Sequence, residues 1–176
     1  MKHDLTIPDR IAKLPKDDRG YPVPFFVQWF DGAGNPTDWG VGKPDQRIAD
    51  ERKLYQCRDK SLCWICGEPL AYWMAFIGGP KAVGNRTFAD GPMHLECAEF
   101  SVRACPHLTH PGAKRRDGGG KELAYKPEGM TECPIDKVAV YVCRGYDTLK
   151  ARRGFLWRPK APKEVRWFRA GERVEG

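Results

Sequence analysis

Apolar positions along the chain fall into short β-like runs and two stretches with helical spacing. FFVQWF at Phe25–Phe30 is apolar and aromatic, interrupted by Gln28, and predicts a strand. The next stretch, DGAGNPTDWGVGKPD at Asp31–Asp45, is dense in turn residues and predicts a loop long enough to serve as a contact surface. Asp50 predicts the N-cap of a helix over Glu51–Lys60, with Leu54 and Cys57 sharing a face; Lys53 rules out a capping box. AYWMAFI at Ala71–Ile77, a GGPK turn and AVGNRTFA at Ala82–Ala89 predict a β-hairpin, closed by a turn at Asp90-Gly91-Pro92. Leu95, Ala98, Val102 and Cys105 recur at spacings of three, four and three. They predict a helix over Met93–Cys105 that packs on the hairpin and stops at Pro106.

Outside these elements the pattern is sparser. Pro8, Pro15, Pro22 and Pro24, set among charges, predict an extended segment lying over the domain surface. Pro106–Pro134 reads as a loop with Gly118-Gly119-Gly120 as a flexible break. Lys137–Cys143 and Gly154–Pro159 predict strands, and Glu164–Val174 suits a short helix or a strand equally. No internal repeat is present. The fold class expected is α+β in a single domain over 1–176, with a core at 62–106, a loop region at 107–136 and a basic, β-rich extension at 137–176.

Composition agrees with a folded chain. Its 176 residues are 41% hydrophobic and 11% aromatic, enough to bury a core. Nineteen glycines and fifteen prolines favour short elements over a helical bundle. No apolar run is long enough to span a membrane, and MKHDLTIPDR has no apolar region of a signal peptide. The expectation is therefore a cytoplasmic protein whose seven cysteines are reduced.

Chemistry concentrates between Cys63 and Cys97. Cys63 and Cys66 form one pair two residues apart; His94 and Cys97 form a second after 27 intervening residues. Two such pairs converge readily on one tetrahedral ion, and thiolate with imidazole is the donor set zinc prefers. Reduced core cysteines with an incidental histidine are the weaker account. Cys57 has no pair partner and reads as a small core residue. Cys105, His107 and His110, with Cys133, have the spacing to begin a second metal site, but a helix-end cysteine with two surface histidines is the preferred account.

The order of knuckle, hairpin and helix, with the second ligand pair in the helix's first turn, resembles the treble-clef zinc finger over about Leu62 to Cys105. Gly67 fits the knuckle, and a helix N-terminus favours the Cys97 thiolate. The wider chain also resembles a group of bacterial and phage proteins through GYPVPFFVQW, CWICGEPL, AFIGGP, an Asn-Arg pair and HLECAEFSVRACP. That second resemblance implies a fold and no mechanism. Treble clefs include the HNH nucleases, which place a catalytic histidine on the hairpin; Ala71–Ala89 has none, leaving His107 or His110 as the remote substitutes. Zinc deaminases need H-x-E before P-C-x-x-C, whereas here His94 and Glu96 follow the CxxC pair. Four protein ligands also leave no position for a water, so the expected role of the ion is structural.

Net charge is +7, and Arg144–Gly176 alone has ten Lys and Arg against four Asp and Glu. Candidate nucleic-acid contacts are Lys114, Arg115 and Arg116 before the triple glycine, then Arg152, Arg153, Arg158, Lys160, Lys163, Arg166 and Arg169. Trp157, Trp167 and Phe168 interleave with the tail cations and could stack on bases, although burial in the core is slightly favoured for them. No Walker motif, Gly-rich phosphate loop or nucleophile elbow occurs. The leading expectation is a non-enzymatic zinc protein binding nucleic acid or a complex acting on it, as a phage or bacterial regulatory factor would. The alternatives are a protein-docking module using Ile7–Pro24 and Asp31–Asp45, and a divergent HNH-like nuclease.

Overall fold

The computed structural model describes residues 5–110, 136–152 and 154–176. The fold is α+β. In chain order its elements begin with a one-turn helix α1 (Asp9–Ala12) and the strands β1 (Val27–Phe30), β2 (Pro36–Thr37) and β3 (Lys43–Ala49). Helix α2 (Glu51–Lys60), strand β4 (Met74–Gly78) and helices α3 (Pro80–Asn85), α4 (Leu95–Ala104) and α5 (Pro106–Thr109) follow. The chain continues with β5 (Val138–Cys143), β6 (Tyr146–Lys150), β7 (Phe155–Pro159), β8 (Glu164–Arg169) and β9 (Glu172–Val174).

Helix α2 forms where its cap predicts. The Asp50 carboxylate accepts from the Arg52 N–H at 3.0 Å, and Leu54 and Cys57 are its buried residues. Two segments expected to lie outside the core instead contribute structure. Residues 7–24 are not simply extended over the surface: α1 buries Ile11, and Leu14 and Val23 are buried beyond it. Asp31–Asp45 is not one loop, because it contributes β2 and the start of β3 to an antiparallel sheet in the order β2-β1-β3. The Asp31 carboxylate makes that possible. It accepts from the N–H groups of Ala33 at 2.9 Å and Asn35 at 2.8 Å, closing a tight turn that returns the chain onto β1.

The expected hairpin of Ala71–Ile77 with Ala82–Ala89 does not form. Its first half is strand β4, but its second half begins as helix α3, opened by Pro80 at the first helical position. The partner of β4 is β5, from far along the chain, with Phe76 opposite Tyr141 and Ala75 opposite Val142. Strand β5 is buried at every residue and also pairs with β8, giving the sheet order β4-β5-β8-β9. The ambiguous stretch Glu164–Val174 is thus a β-hairpin, turned at Ala170-Gly171 with φ of +49° and +83°. A further hairpin joins β7 to β6, a strand the apolar pattern of Tyr146–Lys150 does not predict.

Helix α4 packs on β4 and β5. It starts at Leu95 and ends at Ala104, inside the expected span; Pro106 stops it and then opens the one-turn α5. Phe76 and Tyr141 sit opposite each other across β4 and β5 and meet Phe88, whose ring centroid lies 5.5 Å from Phe76 and 5.4 Å from Tyr141. Phe88 and Trp157 exchange both backbone hydrogen bonds at 2.9 Å, which fastens the β6–β7 hairpin to this aromatic layer.

Candidate metal centre

Cys63 and Cys66 lie in a tight loop whose ends are paired by a bridge between Leu62 and Pro69. Within the loop the Gly67 N–H donates to the Cys63 carbonyl at 2.8 Å, and the Cys63 N–H donates to the Glu68 carbonyl at 2.8 Å. Gly67 has φ +74°, in the left-handed region, and a Cβ there would lie 2.7 Å from the Phe25 ring. Both its conformation and its neighbour therefore require glycine. Trp64, at the tip of the loop, stacks on Phe26 with centroids 4.9 Å apart and rings 6° from parallel. Its backbone N–H donates to the Pro92 carbonyl at 2.8 Å, which draws the loop toward the start of α4.

His94 is the N-cap of α4, and Cys97 lies in its first turn. The donor atoms of Cys63, Cys66, His94 and Cys97 all lie within 4.8 Å of one another, and all four residues are buried. Cys66 Sγ is 3.3 Å from His94 Nδ1. Tetrahedral zinc with bonds of about 2.3 Å to sulfur and about 2.0 Å to nitrogen places its ligand atoms roughly 3.5–3.8 Å apart. The four residues thus fit one metal ion.

The surroundings prepare each donor. His94 Nε2 lies 2.9 Å from the Pro69 carbonyl oxygen. That oxygen can only accept, so Nε2 holds the proton and Nδ1 is left facing the cysteines. Cys63 Sγ accepts from the N–H groups of Cys66 at 3.5 Å and His94 at 3.4 Å, contacts that stabilise a thiolate. Burial pushes the Cys63 thiol up, but hydrogen bonds from Cys66 and Cys97 and from these two backbone groups outweigh that and hold it well below the ordinary thiol range. Cys97 moves the opposite way, pushed up by its contacts with Cys63 and Cys66 and then by burial. His94 is raised, chiefly by Cys66. Crowded thiols in a buried site cannot all ionise alone; a divalent cation removes that conflict and takes all three as thiolates.

Three residues outside the cysteine–histidine pattern flank the centre. Arg10 of α1 donates from Nε to Glu96 at 2.8 Å and from Nη1 to Glu68. It joins the cysteine loop, through Glu68, to the first turn of α4, through Glu96. A metal-ligand motif contains no signal for such a clamp, since Arg10 lies far away in sequence.

Cys57 is fully buried, as its place on α2 suggests, and burial pushes its thiol up to about 12. Cys105 is half-buried at the end of α4, and His107 and His110 lie in and just after α5. Among the described residues these three belong to no cluster of metal-ligating side chains. Cys133 lies outside the described residues.

The basic candidates separate into three groups. Lys114, Arg115, Arg116 and Arg153 lie outside the described residues. Arg166, Arg169 and Lys160 are engaged by carboxylates: Arg166 by Glu99 and Glu164, Arg169 by Asp136 at 2.7 Å, and Lys160 by Asp147. Arg152 and Arg158 are exposed, and Lys163 is exposed with its Nζ 4.5 Å from the Trp73 ring centroid. Trp157 and Phe168 are core residues, 0% and 1% exposed, and offer no stacking surface; Trp167 is half-buried beneath Lys137. No helix among the described residues is long and apolar enough to cross a membrane. No protein-family model, curated protein or solved structure matches the chain.

Proposed function

We propose that the chain is a zinc-stabilised, non-enzymatic protein that binds nucleic acid or a complex acting on it. The observation that supports this reading best is the closed donor set, with four buried protein ligands and His94 held by Pro69 so that Nδ1 faces the three sulfurs. Four protein ligands complete a tetrahedral shell and leave no open position for an activated water. The ion then acts as a clamp, tying the cysteine loop to the N-terminus of α4 beneath the main sheet. Zinc is the ion this thiolate-rich, tetrahedral set favours.

The nucleic-acid half of the reading draws on charge. Ten Lys and Arg face four Asp and Glu over Arg144–Gly176, a local excess that attracts a polyanion. The two alternatives have less support. Ile7–Pro24 is anchored in the core through Ile11, Leu14 and Val23, and Asp31–Asp45 contributes to a sheet, so both segments have structural roles apart from any docking. His110 Nδ1 lies 3.1 Å from Thr109 Oγ1 and 3.2 Å from the Pro106 carbonyl, contacts of a helix end.

The test is a metal analysis of the purified protein beside binding to mixed-sequence DNA and RNA at rising salt. One zinc per chain, with affinity that declines steeply with salt, supports the reading. Absence of bound metal removes its first half. Absence of binding to either polymer at low salt removes its second.

A further inference from the structure

Three tyrosines, Tyr21, Tyr55 and Tyr72, are exposed outside the core among the described residues. Tyr72 is 66% exposed, the highest value among the described large hydrophobic residues. It precedes β4, and the same end of the main sheet holds Trp73, Arg144 just after β5, and Lys163 just before β8. Strand register brings them together: Met74 pairs with Cys143, and the Lys163 N–H donates to the Val142 carbonyl at 2.8 Å.

The four side chains form one surface. The Tyr72 and Trp73 rings meet edge to face at 5.5 Å. Arg144 Nη1 donates to the Tyr72 hydroxyl at 2.7 Å, and its guanidinium carbon lies 5.2 Å from the Trp73 ring centroid. Lys163 Nζ approaches Trp73 at 4.5 Å. Among the described residues neither cation forms an ion pair with a carboxylate, unlike Arg166, Arg169 and Lys160 along the same segment. The neighbouring Glu164 is taken by Arg166. Arg144 donates one N–H to a neutral hydroxyl and rests on a ring, which leaves its other guanidinium N–H groups to meet a phosphate.

We propose that Tyr72, Trp73, Arg144 and Lys163 form a binding surface for single-stranded nucleic acid, a proposal that rests on the nucleic-acid reading above. An unpaired base stacks on the exposed Tyr72 ring, whose tilt is fixed by Trp73 and by the Arg144 hydrogen bond. The flanking phosphates lie against Arg144 and Lys163. A duplex keeps its bases stacked inside and offers only phosphates to this surface, so an exposed ring beside Arg144 and Lys163 favours the single strand.

The experiment compares the full, metal-loaded chain with Tyr72→Ala, Tyr72→Phe, Arg144→Gln and Lys163→Gln, using fluorescence anisotropy of a labelled pyrimidine single strand and of its duplex. Wild type is expected to prefer the single strand. Tyr72→Ala is expected to weaken it by about 5- to 150-fold, the usual cost of one lost stacking contact. Tyr72→Phe, which keeps the ring, restores most of the affinity. Arg144→Gln and Lys163→Gln each reduce the salt slope by about 0.7, the loss of one phosphate contact on a single strand. Unchanged thermal midpoints show that the exposed substitutions leave the fold intact. If wild type binds nucleic acid but Tyr72→Ala binds equally well, the surface is wrong and the broader reading stands. Duplex binding as tight as single-strand binding overturns the single-strand assignment. Binding to neither polymer overturns both.

Discussion

His94 Nε2 donates to the Pro69 carbonyl oxygen across 2.9 Å, which leaves Nδ1 3.3 Å from Cys66 Sγ. The acceptor is a backbone atom at the end of the same loop that holds Cys63 and Cys66. The loop therefore supplies two sulfurs and also orients the nitrogen arriving from α4. Thiolate sets of three cysteines with one histidine and of four cysteines are both closed zinc shells. His94→Cys is accordingly expected to keep one metal per chain and the native near-ultraviolet circular dichroism. His94→Ala is expected to lose both, because binding energy at a structural zinc is folding energy. A folded, fully loaded His94→Ala protein would refute the assignment of the centre.

Gly67 makes a second, independent demand on the same loop. Its φ of +74° disfavours any side chain, and a Cβ would press on Phe25 at 2.7 Å. Gly67→Ala should cost about 2–4 kcal/mol, combining left-handed strain with overpacking against a buried ring. Chemical denaturation of the metal-loaded protein measures this. A loss within experimental error would mean that the loop and Phe25 adjust freely.

Asp17 provides a pH-dependent contribution away from the metal. Burial pushes its carboxyl up, but the Arg19 side chain and the N–H groups of Tyr21 and Arg19 outweigh that and hold it below the ordinary carboxylate range. It accepts from these two N–H groups at 3.0 Å each, closing the turn between Lys16 and Pro22. A folded-state value below the unfolded one stabilises the fold above about pH 4 and is lost as pH falls through the folded value. Acid also protonates the cysteine ligands, so the wild-type curve alone mixes two effects. The difference in stability between wild type and Asp17→Asn isolates the carboxylate: it should be present near neutrality and vanish on acidification. A constant difference across that range would show that the charge of Asp17 contributes nothing.

Spacing carried the metal centre because its ligands come in two local pairs, each confined to four residues. Local rules also sufficed for α2, where the carboxylate of Asp50 and the faces of Leu54 and Cys57 lie within one short helix. Arg10 could not be found that way. Its partners Glu68 and Glu96 are ordinary surface residues until α1 folds against them.

By itself, then, the sequence determined the paired ligands, the capped helix, the helix after His94 and the apolar strand at β5. Each rests on interactions within a few residues, which spacing and side-chain type express directly. Tertiary structure alone decided which strand pairs with β4. The apolar run Ala71–Ile77 is compatible with a local return strand or a distant one, and the burial of β5 between β4 and β8 selects the distant one. The same folding divided the basic tail. Arg166, Arg169 and Lys160 meet carboxylates, whereas Arg144 and Lys163 converge on Tyr72 and Trp73, because strand register places some charges beside acids and others at the open end of a sheet.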